Sequence, residues 1–120
     1  MTTAQGTALP AALANIAEIA GREAALRLAF KYGGSRVYIP KKYLGSDIAQ
    51  LLGNESARAL AKHYGGESIS IPIGKKALAF WLAEQGQAVE EIARTLRVDR
   101  TTVHRWFSRR MDSLQLKLFA

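Results

Sequence analysis

Two stretches of this chain carry the same order of apolar and polar positions. Ile16 to Pro40 (IAEIAGREAALRLAFKYGGSRVYIP) superposes on Ile48 to Pro72 (IAQLLGNESARALAKHYGGESISIP) at an offset of 32 residues, with 12 identities in 25 positions. Each copy predicts a short helix, a glycine break, a longer helix, a Gly-Gly stop and a short strand closed by proline. Gly33 and Gly65 are the expected left-handed ends of the longer helices, because glycine bears no Cβ penalty there. In the first strand Val37 and Ile39 share one face and Arg36 and Tyr38 the other; in the second, Ile69 and Ile71 alternate with Ser68 and Ser70. Pro40 and Pro72 donate no ladder hydrogen bond and end each strand. Strands this short are not stable alone, so each needs a partner: the strand of the other repeat, or the same strand of a second chain.

Beyond the repeats, Ile73 to Gln85 (IGKKALAFWLAEQ) reads as a helix that buries Leu78, Trp81 and Leu82 and stops at Gly86. From Val89 to Arg110 the pattern is that of a helix-turn-helix. Ile92, Ala93 and Leu96 lie on one face of a first helix, and Val98 sits in the turn. Asp99 is placed to cap a second helix through its side chain, with Val103, Trp106 and Phe107 pointing into the core. Two positions depart from the common pattern. Arg97 stands where glycine is usual, so a left-handed turn there carries strain. Gln87 stands where a Ser or Thr cap is expected, which removes about 1 kcal/mol of capping. The predicted fold is mainly α with two short β-strands, as repeated helix-helix-strand units followed by a C-terminal helix-turn-helix. Its parts are a disordered N-terminus (1–11), a repeat-containing dimerisation region (12–66), a linker strand (67–72), a helix-turn-helix domain (73–110) and an apolar tail (111–120). That tail, with Leu114, Leu116, Leu118 and Phe119, either packs on a partner or extends the second helix.

The face of the second helix opposite its core residues holds Thr101, His104, Arg105 and Ser108, flanked by Arg100, Arg109 and Arg110. No carboxylate lies between Arg100 and Arg110. Short hydroxyls with a His or Arg for base edges, and guanidiniums at the margin for phosphates, suit the major groove of double-stranded DNA. The residues expected to read DNA are therefore Arg100, Thr101, Thr102, His104, Arg105, Ser108 and Arg109. A second set, Gly65, Gly66, Ser68, Ser70, Lys75 and Lys76, is a candidate for phosphate or minor-groove contact, since glycines and serines permit close approach and the lysines follow at once. A bland reading of each stands beside it: a helix stop for the glycines, a solvated basic turn for the lysines.

Composition supports a polyanionic partner. The 120 residues carry a formal charge of +7, with 48% hydrophobic and 22% charged residues, the balance of a folded chain. There is no cysteine, which excludes disulfides and thiolate metal sites and fits a reducing cytoplasm. No apolar run reaches membrane-spanning length, and MTTAQGTALPA lacks the features of a signal peptide. His63 and His104 are the only histidines, and no nucleophile elbow, phosphate loop or dinucleotide fingerprint occurs, so no catalytic residue, metal or cofactor is expected.

The segments YGGSRVYIPKK (32–42), YGGESISIP followed by Gly74, Lys75 and Lys76, and AVEEIARTLRVDRTTVHRWF (88–107) together resemble the Mor transcription activator family of Mu-like phages and prophages. The resemblance covers roughly Leu13 to Arg110. It implies a homodimeric activator of phage middle or late promoters in the cytoplasm of a bacterial host, associated with its nucleoid and engaging host RNA polymerase. It also implies a linker strand at Gly65, Gly66 and Ser68 to Ile71 that pairs between subunits, and a recognition helix over Arg100 to Arg109. Two other functions fit the residues: a DNA-binding repressor or recombination accessory protein, and a protein-interaction module that docks an acidic partner.

Overall fold

The computed structural model describes the backbone of residues 9–119 and side chains as far as Arg109. The chain forms two compact units, divided between Gly74 and Lys75.

The N-terminal unit contains helices α1 (Ala11–Ala20) and α2 (Arg22–Tyr32), strand β1 (Arg36–Ile39), helices α3 (Asp47–Leu52) and α4 (Asn54–Tyr64), and strand β2 (Glu67–Ser70). The two repeats thus have the same element order. Gly21 and Gly53 break the paired helices at φ 103° and 91°. α3 starts under a Ser46 cap, whose Oγ accepts from Ala49 N–H at 3.1 Å. The helices pack crosswise, α1 on α2 and α4, and α3 on α4 and α2. Leu13, Ile16, Leu26, Leu28, Ile39, Leu60 and Ile71 are buried among them.

β1 and β2 pair antiparallel inside one chain, with Arg36 opposite Ser70, Val37 opposite Ile69 and Tyr38 opposite Ser68. Of the two partners open to each strand, the fold uses the other repeat. Val37 and Ile69 are equivalent positions of the two repeats, so their pairing places a pseudo-two-fold axis between them. The bounding hydrogen bonds obey it: Gly34 N–H donates to Ile71 O at 2.7 Å, and its counterpart Gly66 N–H to Ile39 O at 2.8 Å. The segment read as a linker strand is therefore one of the two strands of this small sheet and belongs to the N-terminal unit. Val37 and Ile39 are buried and Arg36 and Tyr38 exposed, as their alternation predicts.

The Gly-Gly stops work differently from the expectation. Gly33 and Gly65 sit at φ −54° and −55°, and the left-handed backbone falls on the second glycines, Gly34 (φ 85°) and Gly66 (φ 87°). The first glycine is needed for space. A Cβ on Gly33 would stand 2.5 Å from Ala29 O, and one on Gly65 2.4 Å from Ala61 O, the carbonyls to which their own N–H groups donate.

The C-terminal unit comprises α5 (Lys75–Glu84), α6 (Val89–Leu96) and α7 (Arg100–Phe119). Every residue from Ala77 to Leu82 is buried, because α5 packs on both α6 and α7. Gly86 (φ 98°) ends α5, with Gln87 N–H returning to Leu82 O at 3.1 Å. Ile92, Ala93, Leu96 and Val103 complete the core. The backbone of α7 continues as helix to Phe119, so the tail prolongs the second helix of the motif. The side chains of its four large apolar residues, and that of Arg110, lie outside the described ones, as does most of the expected disordered N-terminus.

Candidate nucleic-acid interface

The turn ahead of α7 is set by backbone chemistry. α6 closes at Arg97, whose N–H donates to Arg94 O at 3.3 Å, and Val98 N–H returns to Ala93 O at 3.0 Å. Arg97 lies at φ 58° and ψ 49°, the sole non-glycine residue with positive φ among those described, so the strain read from the sequence is present. α6 begins after Ala88, not Gln87, and its N-cap makes no side-chain hydrogen bond; Glu90 and Glu91 in the first turn complement the positive helix end instead. At the start of α7 the Asp99 carbonyl, rather than the expected carboxylate, accepts from Thr102 N–H at 3.0 Å and Val103 N–H at 3.3 Å.

Val103 and Phe107, one turn apart, hold α7 against the core. Val103 is fully buried, and the Phe107 ring lies 4.9 Å from that of Phe80, tilted by 48°. Trp106, expected in the core with them, is half-buried, as Phe107 is. Successive residues are turned about 100° from one another around a helix, so with Val103 and Phe107 facing α5 the indole falls at the edge of the buried stripe.

This orientation leaves Thr101, His104, Arg105, Ser108 and Arg109 exposed along α7, at spacings that share one broad face, with Thr102 half-buried beside them. Two polar contacts modify the face. Arg105 Nη2 donates to Thr102 Oγ1 at 3.3 Å, holding the guanidinium back along the helix. Arg100 Nη1 meets Glu90 Oε2 at 3.4 Å, with both side chains about three-fifths exposed, so this pair adds little stability but partly neutralises the first arginine of the helix. Sequence reasoning missed that pair; the only signal for it is opposite charge in the first turns of α6 and α7.

The second candidate set is divided between the units. Gly65, Gly66, Ser68 and Ser70 belong to the N-terminal one, and Lys75 and Lys76 to the first turn of α5. Ser68 and Ser70 are exposed on the outer face of the two-stranded sheet, where Arg36 donates to Ser70 Oγ at 3.1 Å and to Ser68 O at 2.9 Å. The backbone at Gly65 and Gly66 is not open as expected: the Lys41 stem lies over it, its Cγ 3.1 Å and its Cε 3.0 Å from where the two Cβ atoms would be. Among the described residues no cluster of His, Asp or Glu is arranged to hold a metal ion, and no helix is long and apolar enough to cross a membrane.

Residues 72–113 match a family of Homeodomain-like domains. The match spans α5, α6 and the first two-thirds of α7, and supports a helix-turn-helix DNA-binding domain. No curated protein and no solved structure matches the chain.

Proposed function

We propose that the chain is a sequence-specific DNA-binding transcription regulator that reads the major groove through α7. The observation that carries this is the exposed face of Thr101, His104, Arg105, Ser108 and Arg109, set opposite Val103 and Phe107 in a segment that matches a homeodomain-like domain. Arg105 and His104 are the base-reading residues, Thr101 and Ser108 the short polar ones beside them, and Arg100 and Arg109 bind phosphate at either end. Thr102 holds Arg105 in place. Lys75 and Lys76, and the sheet face of Ser68 and Ser70, supply further backbone contacts.

Activation of phage promoters, with host RNA polymerase as partner, rests on the resemblance to Mor activators. A homodimer is part of the proposal, because each chain has one helix-turn-helix and a two-fold site requires two. The strands lend it no support, since their hydrogen-bonding needs are met within the chain. Selection of bound sequences from a random duplex pool tests the proposal: a common motif should be enriched within a few rounds. Recovery of unrelated sequences would refute specific readout and favour a basic module that docks an acidic protein.

A further inference from the structure

Arg97 is held in a backbone conformation that glycine adopts freely and arginine resists, at the junction between α6 and α7. Nothing in the fold repays the side chain. It is exposed, and among the described residues its guanidinium makes no ion pair or hydrogen bond. The hydrogen bonds of the turn come from its backbone and from Val98, and glycine would make them equally well.

The local charge gives no structural reason for it either. Arg94 lies one turn earlier on α6 and Arg100 three residues later, so Arg97 adds a third cation to an arginine-rich corner. The nearby carboxylates are otherwise placed, with Glu90 on Arg100 and the exposed Asp99 beyond the turn. A strained residue that stabilises nothing, placed at a functional junction, points to work done outside the folded chain.

We infer that Arg97 binds a DNA phosphate. The inference rests on the DNA-reading role of α7 and adds a contact outside that helix. A guanidinium at this turn, next to the start of the reading helix, can take the backbone just beyond the bases that α7 contacts. Such a contact orients the helix and carries no sequence information.

The test compares wild type with Arg97→Gly, Arg97→Asn and Arg97→Lys, using the full chain. Duplex binding is measured for a selected site and for random DNA over a range of salt, alongside the thermal midpoint. Asparagine tolerates the left-handed backbone without charge, so it guards against a change in turn flexibility. Both neutral variants should melt no lower than wild type, weaken binding to the two duplexes alike, and flatten the log-log salt dependence by about 0.9, the contribution of one phosphate. Lysine should restore most of that slope. Unchanged slope and affinity in both neutral variants would overturn the inference while leaving the reading of α7 intact. A wild-type chain with no affinity for duplex would remove both.

Discussion

Truncating Phe107 should damage the C-terminal unit more than truncating Trp106, although the indole is larger. Removing a well-buried aromatic side chain costs about 3–5 kcal/mol. Phe107 is half-buried, so about half of that applies, to which loss of the ring contact with Phe80 at 4.9 Å adds about 0.5–1.5 kcal/mol. Phe107→Ala is therefore expected to cost about 2–4 kcal/mol, and Trp106→Ala, half-buried in the same way but without that ring contact, about 1.5–2.5 kcal/mol. Urea unfolding followed by tryptophan fluorescence measures both, because Trp81, buried in α5, reports on this unit in every variant. A common m-value across the variants licenses the comparison. The ranking matters beyond stability, since it fixes the rotation of α7. If Trp106→Ala were the costlier change, the helix would be turned by about one residue, roughly 100°, and Arg105 would not share the exposed face described for it.

Gly65→Ala must move either its new Cβ or Ala61 O out of a 2.4 Å contact, breaking the helix-closing hydrogen bond, and should lower N-terminal unit stability by about 2–3 kcal/mol in thermal melts; a change within about 0.5 kcal/mol would contradict the close approach. Ser70→Glu, exposed opposite Arg36, should leave the melt unchanged and weaken duplex binding; unaltered affinity would make the strand pair scaffold only. Sedimentation at micromolar concentration should show a homodimer, and a monomer that binds DNA tightly would remove the dimer from the proposal.

Much of the architecture was legible because it is local. A repeat with glycine and proline at fixed places dictates helix, break, helix, stop and strand whatever surrounds it, and the Ile92–Leu96 and Val103–Phe107 spacing dictates two packed helices. What could not be read is what depends on distance. The strand sequences need a partner but do not say whether it is internal; only the register pairing Val37 with Ile69 decides that. Both glycines of each pair satisfy a helix stop, and the 2.4–2.5 Å approach to a carbonyl separates their roles. Most of the α7 face was visible from periodicity alone. The pairing of Arg100 with Glu90, ten residues apart, and the covering of Gly65 and Gly66 by Lys41 depend on how elements pack. Arg97 was visible in the sequence as an anomaly, and its backbone angles make the anomaly specific.

In the proposed function α7 reads bases through Arg105 and anchors to the backbone through Arg109. Equilibrium binding of Arg105→Ala and Arg109→Ala to a selected site and to random duplex, each across a salt series, tests it most directly. Arg105→Ala should lose about 1–3 kcal/mol on the selected site and relax base preference at one position, with little change on random DNA. Arg109→Ala should weaken both duplexes alike and flatten the salt dependence by about 0.9. Equal losses on both duplexes for Arg105→Ala, or none on either, would contradict the assignment of α7 as the reading helix.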